Sequence, residues 1–114
     1  MTLPQLHRRL AAIRAELGAL GPIHPGSLSP QANVCGTPGC RCKDPRRPRK
    51  HGPYYQLSYT WRGRSTTRFV RAPQVRAMRA KLANYKRFRQ LTAEWVDVAI
   101  ALEALERAAA EPGD

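Results

Sequence analysis

Three cysteines and one histidine lie close together in the middle of the sequence, in the spacing Cys35-x4-Cys40-x-Cys42-x8-His51. Reduced cysteines are usually scattered, so three within eight residues indicate that they act together. Thiolate and imidazole groups are the ligands that hold zinc in closed, four-coordinate structural sites. The spacing therefore predicts one structural zinc ion bound by these four residues, with no coordination position left for a catalytic water.

The residues around the thiols favour a metal site but leave alternatives open. Residues 36–39 (Gly-Thr-Pro-Gly) predict a tight turn that can fold Cys35 back towards Cys40. The spacing is less specific than paired C-x2-C motifs, so a disulfide between two of the cysteines and three reduced thiols are both alternatives. His24 is an alternative fourth ligand. Without zinc, Cys40 could act as a nucleophile activated by its Arg neighbours.

The chain is strongly basic, with 20 Lys and Arg against 8 Asp and Glu, a net charge of +12 and a pI near 10.8. Residues 41–90 hold sixteen basic residues and one acid, Asp44, whereas residues 91–114 hold one Arg and six acids. Such a balance predicts a polyanionic partner, most often nucleic acid and less often a membrane surface. Sixteen of the twenty basic residues are Arg, which suits bidentate phosphate contacts, although codon usage in a GC-rich genome also favours Arg.

We expect the phosphate contacts to come from a loop, a hairpin and a helix. Residues 44–50 (DPRRPRK) are either a solvated excursion or a loop that grips phosphate, and their place between two predicted metal ligands favours phosphate contact. Trp61, at the hairpin tip, could stack on a base or cap the fold. The predicted contacts are Arg41, Lys43, Arg46, Arg47, Arg49 and Lys50 in the loop, Arg64 and Arg68 in the hairpin, and Arg76, Arg79 and Lys86 in the helix.

The remaining pattern predicts an α+β fold in a single domain covering residues 1–114. Thr2 and Gln5 fit a capping box at the start of an amphipathic helix, and Gly21-Pro22 is a stop signal. A short strand is possible around Ser27–Val34. The expected elements are a helix at 1–21, the Cys/His loop at 22–53, a β-hairpin at 54–71 and a long or bent helical region at 73–110.

The hairpin turn lies at Arg62-Gly63, and its length decides which strand residues face each other. A two-residue turn places Leu57 opposite Arg68, whereas a three-residue turn places Leu57 opposite Phe69. We prefer the three-residue turn, because it puts the apolar residues of both strands on one face. The other face would then show a polar strip suited to phosphates, formed by Gln56, Ser58, Thr66 and Arg68.

The first helix and the end of the chain share a heptad spacing of apolar residues, so the two can pair antiparallel. The second helical region slips by one residue between Phe88 and Leu91, which indicates either one overwound helix or a bend. Either apolar seam could instead form a homodimer interface. The expected neighbours are Leu17 with Trp95, Ile13 with Val98, Leu10 with Leu102, Leu6 with Leu105, Arg14 with Asp97, and Arg9 with Glu103 or Glu106.

Two segments, CGTPGCRC at 35–42 and HGPYYQLSY at 51–59, resemble the core of a family of small, uncharacterised prokaryotic proteins. Those proteins carry a CGxPxCxC segment, then HGPYYxLxY, a basic strand and a helical C-terminus, and the resemblance covers residues 26–91. It implies a Cys/Cys/Cys/His set at Cys35, Cys40, Cys42 and His51. This sequence has a particularly basic stretch inserted before the histidine. The resemblance implies no activity, because the family has none assigned.

Together these observations favour a zinc-stabilised basic module that contacts the phosphate backbone of DNA or RNA. The main alternative is an adaptor or accessory protein that docks a partner through its heptad helices. An enzyme is not expected, because Asp44 is the only carboxylate of the basic region and HExxH, P-loop and GxSxG motifs are absent. No apolar run reaches the length of a membrane span and the N-terminus lacks a signal peptide, so we expect a cytoplasmic location and no membrane partner.

Overall fold

A computed structural model describes residues 1–33, 39–47 and 51–111, with side chains described for all of these except 32, 33, 42 and 51–53. The fold is α+β, with an N-terminal helix, a three-stranded antiparallel sheet and a long C-terminal helix. The predicted helix, hairpin and C-terminal helix are confirmed. The elements are α1 (Leu3–Ala19), β1 (Ser27–Asn33), a 3-10 helix (Arg41–Lys43), β2 (His51–Trp61), β3 (Arg64–Val70) and α2 (Ala72–Ala110).

Helix α1 begins and ends where its sequence predicts. Thr2 Oγ1 accepts a hydrogen bond from the Gln5 backbone N–H at 3.3 Å, and Gln5 Oε1 accepts one from the Thr2 backbone N–H at 2.8 Å. This reciprocal capping box satisfies two amides that have no partner inside the helix. At the other end, the Leu20 N–H donates to the Leu17 carbonyl at 3.3 Å, and the helix ends before Gly21-Pro22.

The chain forms two compact units. The helical unit comprises residues 1–23 and 83–114, and the sheet unit comprises residues 24–82. Helix α2 therefore contributes residues 72–82 to the sheet unit and residues 83–110 to the helical unit. This division does not test the prediction of a single domain. Within the described residues, no helix is both long and apolar enough to cross a membrane.

The core of the helical unit joins the apolar seams of both helices. Ile13 of α1 and Leu91 of α2 are completely buried. Burying a side chain of this size contributes about 1.5 to 3 kcal/mol. The heptad spacing therefore does predict the packed faces of both helices. The buried residues are Leu6, Ile13, Leu91, Val98 and Leu102, with Leu3, Leu10, Leu17, Leu20, Trp95 and Ala101 half-buried around them.

Two bidentate ion pairs join α1 to α2 and establish their direction. The Arg9 guanidinium donates to both carboxylate oxygens of Glu94, with Nη2 to Oε2 at 2.6 Å. The Arg87 guanidinium donates to both oxygens of Glu16, with Nη2 to Oε1 at 2.7 Å. From the first pair to the second, the residue number rises from 9 to 16 along α1 and falls from 94 to 87 along α2. The helices are therefore antiparallel, as predicted.

The predicted register between the helices is wrong at its charged positions. The expected neighbours are Asp97 for Arg14, and Glu103 or Glu106 for Arg9. Arg9 instead binds Glu94, and the Arg14 guanidinium lies 5.6 Å from the centroid of the Trp95 ring. Heptad spacing repeats along each helix, so apolar positions alone allow several registers. Bidentate pairing, which requires a particular distance and orientation, selects among them.

Helix α2 continues through the position where the apolar spacing slips. Phe88 and Leu91 both lie within the single helix Ala72–Ala110, so the expectation of one long helix is confirmed. Close to the slip, the Thr92 hydroxyl donates to the carbonyls of Phe88 at 3.0 Å and Arg89 at 3.1 Å. Such bonds from a side chain to the preceding turn often accompany local distortion of a helix.

The sheet has β2 at its centre, with β1 and β3 paired antiparallel on either side. Trp61 lies opposite Arg64, so the hairpin turn contains two residues, Arg62 and Gly63. Their φ angles are 50° and 77°. Positive φ at both central positions defines a type I′ turn, whose twist matches the right-handed twist of the strands. The predicted three-residue turn is therefore wrong.

The two-residue turn decides which side chains enter the core. Leu57 lies opposite Arg68, and Val70 lies opposite Tyr55. Directly opposed residues share a face, so Val70 enters the core and Phe69 does not. We call this packed face the inner face and the opposite one the outer face. The inner face packs against the start of α2 through Leu28, Tyr55, Leu57, Tyr59, Val70, Val75, Met78 and Leu82.

The turn geometry predicts opposite effects for two Gly→Ala substitutions. Gly63→Ala forces a Cβ into the left-handed region and lowers the free energy of unfolding by about 1 to 2 kcal/mol. Gly18→Ala, inside α1 with nothing within 4 Å of the added Cβ, raises it by about 0.5 to 1 kcal/mol. Urea unfolding followed by circular dichroism measures both effects. A Gly63→Ala protein as stable as the unaltered chain would contradict the type I′ turn.

The two ion pairs predict a characteristic response to acid. Hydrogen bonds from Arg87 lower the pKa of Glu16, and those from Arg9 lower the pKa of Glu94. Because each folded-state pKa lies below the unfolded-state pKa of about 4.3, the stabilisation is present above that value and is lost as the pH falls through the folded-state pKa. Glu16→Gln combined with Glu94→Gln should lower the melting temperature near neutral pH and flatten its decline below about pH 5.

Glu111→Gln is the matched control, because Glu111 is exposed and makes no ion pair within the described residues. We expect this variant to melt like the unaltered chain across the pH series. Equal acid sensitivity in the double variant and the unaltered chain would show that the two pairs do not set the response.

Candidate nucleic-acid interface

The sheet unit carries the whole net charge of the chain. Residues 24–82 contain thirteen Lys or Arg and one acid, Asp44, which gives +12. Residues 1–23 and 83–114 contain seven basic and seven acidic residues, so their charges cancel. A polyanion is therefore attracted to the sheet unit and gains nothing from the net charge of the helical unit.

The two units also differ in how their charges are paired. In the described part of the sheet unit, no Lys or Arg side chain forms an ion pair with a carboxylate. The described cations of the sheet unit therefore lack a carboxylate counter-charge. The ion pairs of the helical unit join Arg9 with Glu94, Arg87 with Glu16, Arg107 with Glu103, and His7 with Glu106 when the histidine is protonated.

The single acid of the sheet unit organises the basic loop instead of neutralising it. Asp44 Oδ1 accepts hydrogen bonds from the backbone N–H groups of Arg46 at 2.9 Å and Arg47 at 3.3 Å. Just before it, the Lys43 N–H donates to the Cys40 carbonyl at 2.9 Å and closes the 3-10 helix. The exposed predicted contacts here are Arg41, Lys43, Arg46 and Arg47, while Arg49 and Lys50 lie outside the described residues.

The hairpin contacts are exposed, but the predicted polar strip is wrong. Arg64 and Arg68 lie on the inner-face side of β3, with both side chains reaching solvent. Thr66 shares that side, whereas Gln56 and Ser58 point to the outer face. The cause is the shorter turn, because a shift of one residue moves a strand side chain to the opposite face.

The helix contacts are also exposed. Arg76 and Arg79 lie on the part of α2 that belongs to the sheet unit. The Arg79 guanidinium lies 5.7 Å from the centroid of the Tyr55 ring, a cation–π contact that orients the side chain without neutralising it. Lys86 is exposed but belongs to the helical unit.

Only one of the four predicted zinc ligands is described with its side chain. Cys40 is half-buried and caps the 3-10 helix. Cys35 lies outside the described residues, and Cys42 and His51 are described in their backbones alone. Among the described side chains, no group of three His, Cys, Asp or Glu residues could hold a metal ion. Three of the four predicted ligands are not among these side chains. Zinc binding therefore stays a prediction.

The alternative ligand, His24, occupies a defined position. Its Nδ1 lies 2.6 Å from the Pro25 carbonyl oxygen. Its ring packs edge-on against the Tyr59 ring, with the two ring centroids 4.8 Å apart. The His24 backbone N–H donates to the Lys81 carbonyl at 3.1 Å. These contacts attach His24 to the end of β2 that lies away from His51.

Exposed aromatic residues were not expected on the outer face. Tyr54 is 45% exposed and Phe69 is 63% exposed, and their ring centroids lie 6.2 Å apart. Alternation along β2 places Tyr54 on the face opposite Leu57. The three-residue turn places Phe69 in the core, so the sequence does not predict that the two rings meet. At the hairpin tip, Trp61 is 55% exposed with the Arg62 guanidinium 5.9 Å from its ring centroid.

A protein-family model described as a domain of unknown function, DUF6788, matches residues 3–80. This match supports the expected resemblance to an uncharacterised family, and it begins at residue 3 and not at residue 26. No curated protein and no solved structure matches the chain. The function must therefore be inferred from the molecule itself.

Proposed function

We propose that this chain, which belongs to the DUF6788 family of domains of unknown function, is a zinc-stabilised module whose sheet unit binds the phosphate backbone of nucleic acids. The observation that carries this proposal is the segregation of charge. The sheet unit holds all of the net +12, and its described cations have no carboxylate partners. Phosphates would supply the missing counter-charge.

Unpaired cations at this density repel one another and oppose folding of the sheet unit. A protein that needed them only for solubility could place acids among them, as the helical unit does. Their exposure leaves the guanidinium groups free to form bidentate contacts with phosphate oxygens. We propose binding without catalysis, because the only carboxylate of the unit, Asp44, is engaged with backbone amides.

Strand pairing supports the proposed zinc site. Asn33 of β1 lies opposite His51 of β2, and opposed Cα atoms are about 4.5 to 5.5 Å apart. All three cysteines fall between these two residues in the sequence. The pairing therefore closes the cysteine segment at its base, next to the histidine. A metal bound there would hold a loop whose Arg and Lys side chains otherwise repel each other.

The position of His24 favours His51 as the fourth ligand. His24 packs on Tyr59, which lies eight residues beyond His51 along β2. At about 3.3 Å per residue, these two points on the strand are about 26 Å apart. A histidine held at Tyr59 is therefore far from the Asn33–His51 pair.

The zinc proposal predicts about one zinc ion per chain in freshly purified protein and a lower melting temperature after chelation. Cys40→Ser and His51→Ala should each reduce the bound zinc, because a structural site needs all four ligands. His24→Ala is the matched control and should keep the full complement. Elemental analysis and thermal melting provide the measurements. The zinc site would be overturned if the purified protein contained no metal and its melting temperature did not change after chelation.

Phosphate binding predicts an affinity that falls steeply with salt. With duplex DNA, six to ten phosphate contacts give a log–log slope of roughly −5 to −9, and with single strands the slope is shallower. The triple change Arg46→Ser, Arg47→Ser and Arg49→Ser should weaken binding to all sequences alike and make the slope shallower by about 2 to 3. Fluorescence anisotropy with unrelated DNA and RNA duplexes and single strands, measured across a salt series, gives both quantities.

The matched control removes three charges from the helical unit through Arg8→Ser, Arg89→Ser and Arg107→Ser, all at exposed positions. This protein has the same net charge as the loop variant, and we expect its affinity and slope to stay near those of the unaltered chain. Equal losses in both variants would mean that total charge, and not the sheet unit, controls binding.

Two features of the helical unit favour an adaptor as the second candidate function. The helical unit has a groove of about 600 Å³ between α1 and the end of α2, lined by residues that include Leu6, Ala101 and Leu105. On α2, Val96 is 57% exposed and Ile100 is 65% exposed, one turn apart. A neutral helical pair with exposed apolar side chains suits a protein partner. Absent or salt-insensitive nucleic-acid binding would favour this candidate.

A further inference from the structure

The described residues on the outer face of the sheet carry no charge, although this face belongs to the most basic part of the chain. Strand pairing places ten described residues on this face, and none of them is Lys, Arg, Asp or Glu. Eight offer hydroxyl or amide groups and two are aromatic. The outer-face residues are Ser27, Ser29 and Gln31 of β1, Tyr54, Gln56, Ser58 and Thr60 of β2, and Ser65, Thr67 and Phe69 of β3.

The aromatic pair on this face does not serve the core. Tyr54 and Phe69 come from neighbouring strands, and their rings meet at 64° with both exposed to solvent. Val70, the next residue along β3, fills the core position on the inner face. Two large rings therefore remain partly exposed on an otherwise polar face, where a planar group can contact them.

Beside the rings, hydroxyl groups line a shallow groove. Ser58 Oγ lies 3.3 Å from Thr67 Oγ1, and Thr60 Oγ1 lies 2.9 Å from Ser65 Oγ. The groove holds about 330 Å³ and also includes Ser27. Hydroxyls both donate and accept, so they can meet the sugar, the phosphate or the polar rim of a base.

Cationic residues lie at both ends of β3. Arg62 lies in the turn before the strand and Arg71 follows it, and both are exposed. Arg64 and Arg68 lie on the inner-face side of the same edge strand. A ligand on the outer face therefore needs flat unsaturated rings for the aromatic pair and negative charge for Arg62 and Arg71. Nucleic acid has both, and only a single strand leaves its base faces open, because a duplex stacks them internally.

We propose that the outer face is a stacking platform for the bases of single-stranded nucleic acid, with Tyr54 and Phe69 as its aromatic residues. The platform depends on the proposed nucleic-acid binding and adds a substrate class to it. A second copy of the chain is a poorer occupant, because two sheet units of +12 repel each other. Base stacking on aromatic side chains tolerates any sequence, so the platform favours single strands without selecting among them.

Three probes of equal length separate stacking from phosphate contact. They are an oligothymidine of about 12 nucleotides, within the range bound by single-strand-binding folds, an abasic strand with the same phosphates, and the matching duplex. We expect the unaltered chain to bind oligothymidine about tenfold or more tightly than the abasic strand. Tyr54→Leu with Phe69→Leu should bring that ratio close to one and leave affinity for the abasic strand unchanged.

The matched control keeps both rings through Tyr54→Phe with Phe69→Tyr, and it should keep the preference for oligothymidine. Circular dichroism and melting show whether each variant is folded. If the double Leu variant is unfolded, Phe69→Leu replaces it, because Phe69 is the more exposed ring. Retained preference in a folded Leu variant, or an equal loss of duplex binding, overturns the platform.

The outcomes distinguish the platform from the function on which it depends. Equal affinity of the unaltered chain for oligothymidine and the abasic strand leaves phosphate binding in place and overturns stacking. Failure to bind any of the three probes overturns both proposals. Association of the unaltered chain into dimers that the Leu variant dissociates, with strand binding unchanged, shows that the outer face joins two copies and also overturns the platform.

Discussion

The register between β2 and β3 is the constraint on which the rest of the sheet unit depends. The two-residue turn at Arg62 and Gly63 sets it, because both residues take positive φ. With this register Val70 joins Leu57 in the core and Phe69 remains in solvent. A shift of one residue would exchange the two faces of β3 completely. The conformation of Arg62 and Gly63 therefore determines which side chains of β3 are packed and which are exposed.

The helical unit depends on a different kind of interaction. Apolar side chains bring α1 and α2 together, but guanidinium–carboxylate pairs decide how far one helix is displaced along the other. This use of acids leaves the unit electrically neutral. The described cations of the sheet unit have no such partners. The chain therefore uses charge for internal specificity in one unit and keeps it available for an external partner in the other.

Sequence reasoning reached the elements but not their registers. Thr2, Gln5 and Pro22 define the limits of α1 through local hydrogen bonding and restricted backbone geometry, so these limits could be predicted. Gly63 located the hairpin turn, yet the φ angle of Arg62 cannot be read from residue type. Matching Phe69 with Leu57 would place apolar side chains of both strands on one face, so the sequence pattern alone does not predict the exposed aromatic pair.

The candidate site, like the fold, can be predicted from the sequence only in part. Charge segregation could be predicted from residue counts, because net charge depends only on composition along the chain. The basic loop was expected, but the role of Asp44 as acceptor for two backbone amides requires a fold to be known. The helix register was ambiguous for the same reason: repeating apolar positions look alike, and a salt bridge depends on three-dimensional distance.

The order of the strands leaves β1 and β3 at the two edges of the sheet, each with backbone groups that could recruit another chain. Their protection differs. β1 contains Pro30, which cannot donate a hydrogen bond, and this protection is insensitive to salt. β3 relies on the charges of Arg64 and Arg68, whose mutual repulsion between molecules weakens as ions screen it. Protection against strand-to-strand association therefore depends on ionic strength at the β3 edge, whereas the contribution of Pro30 at the β1 edge does not.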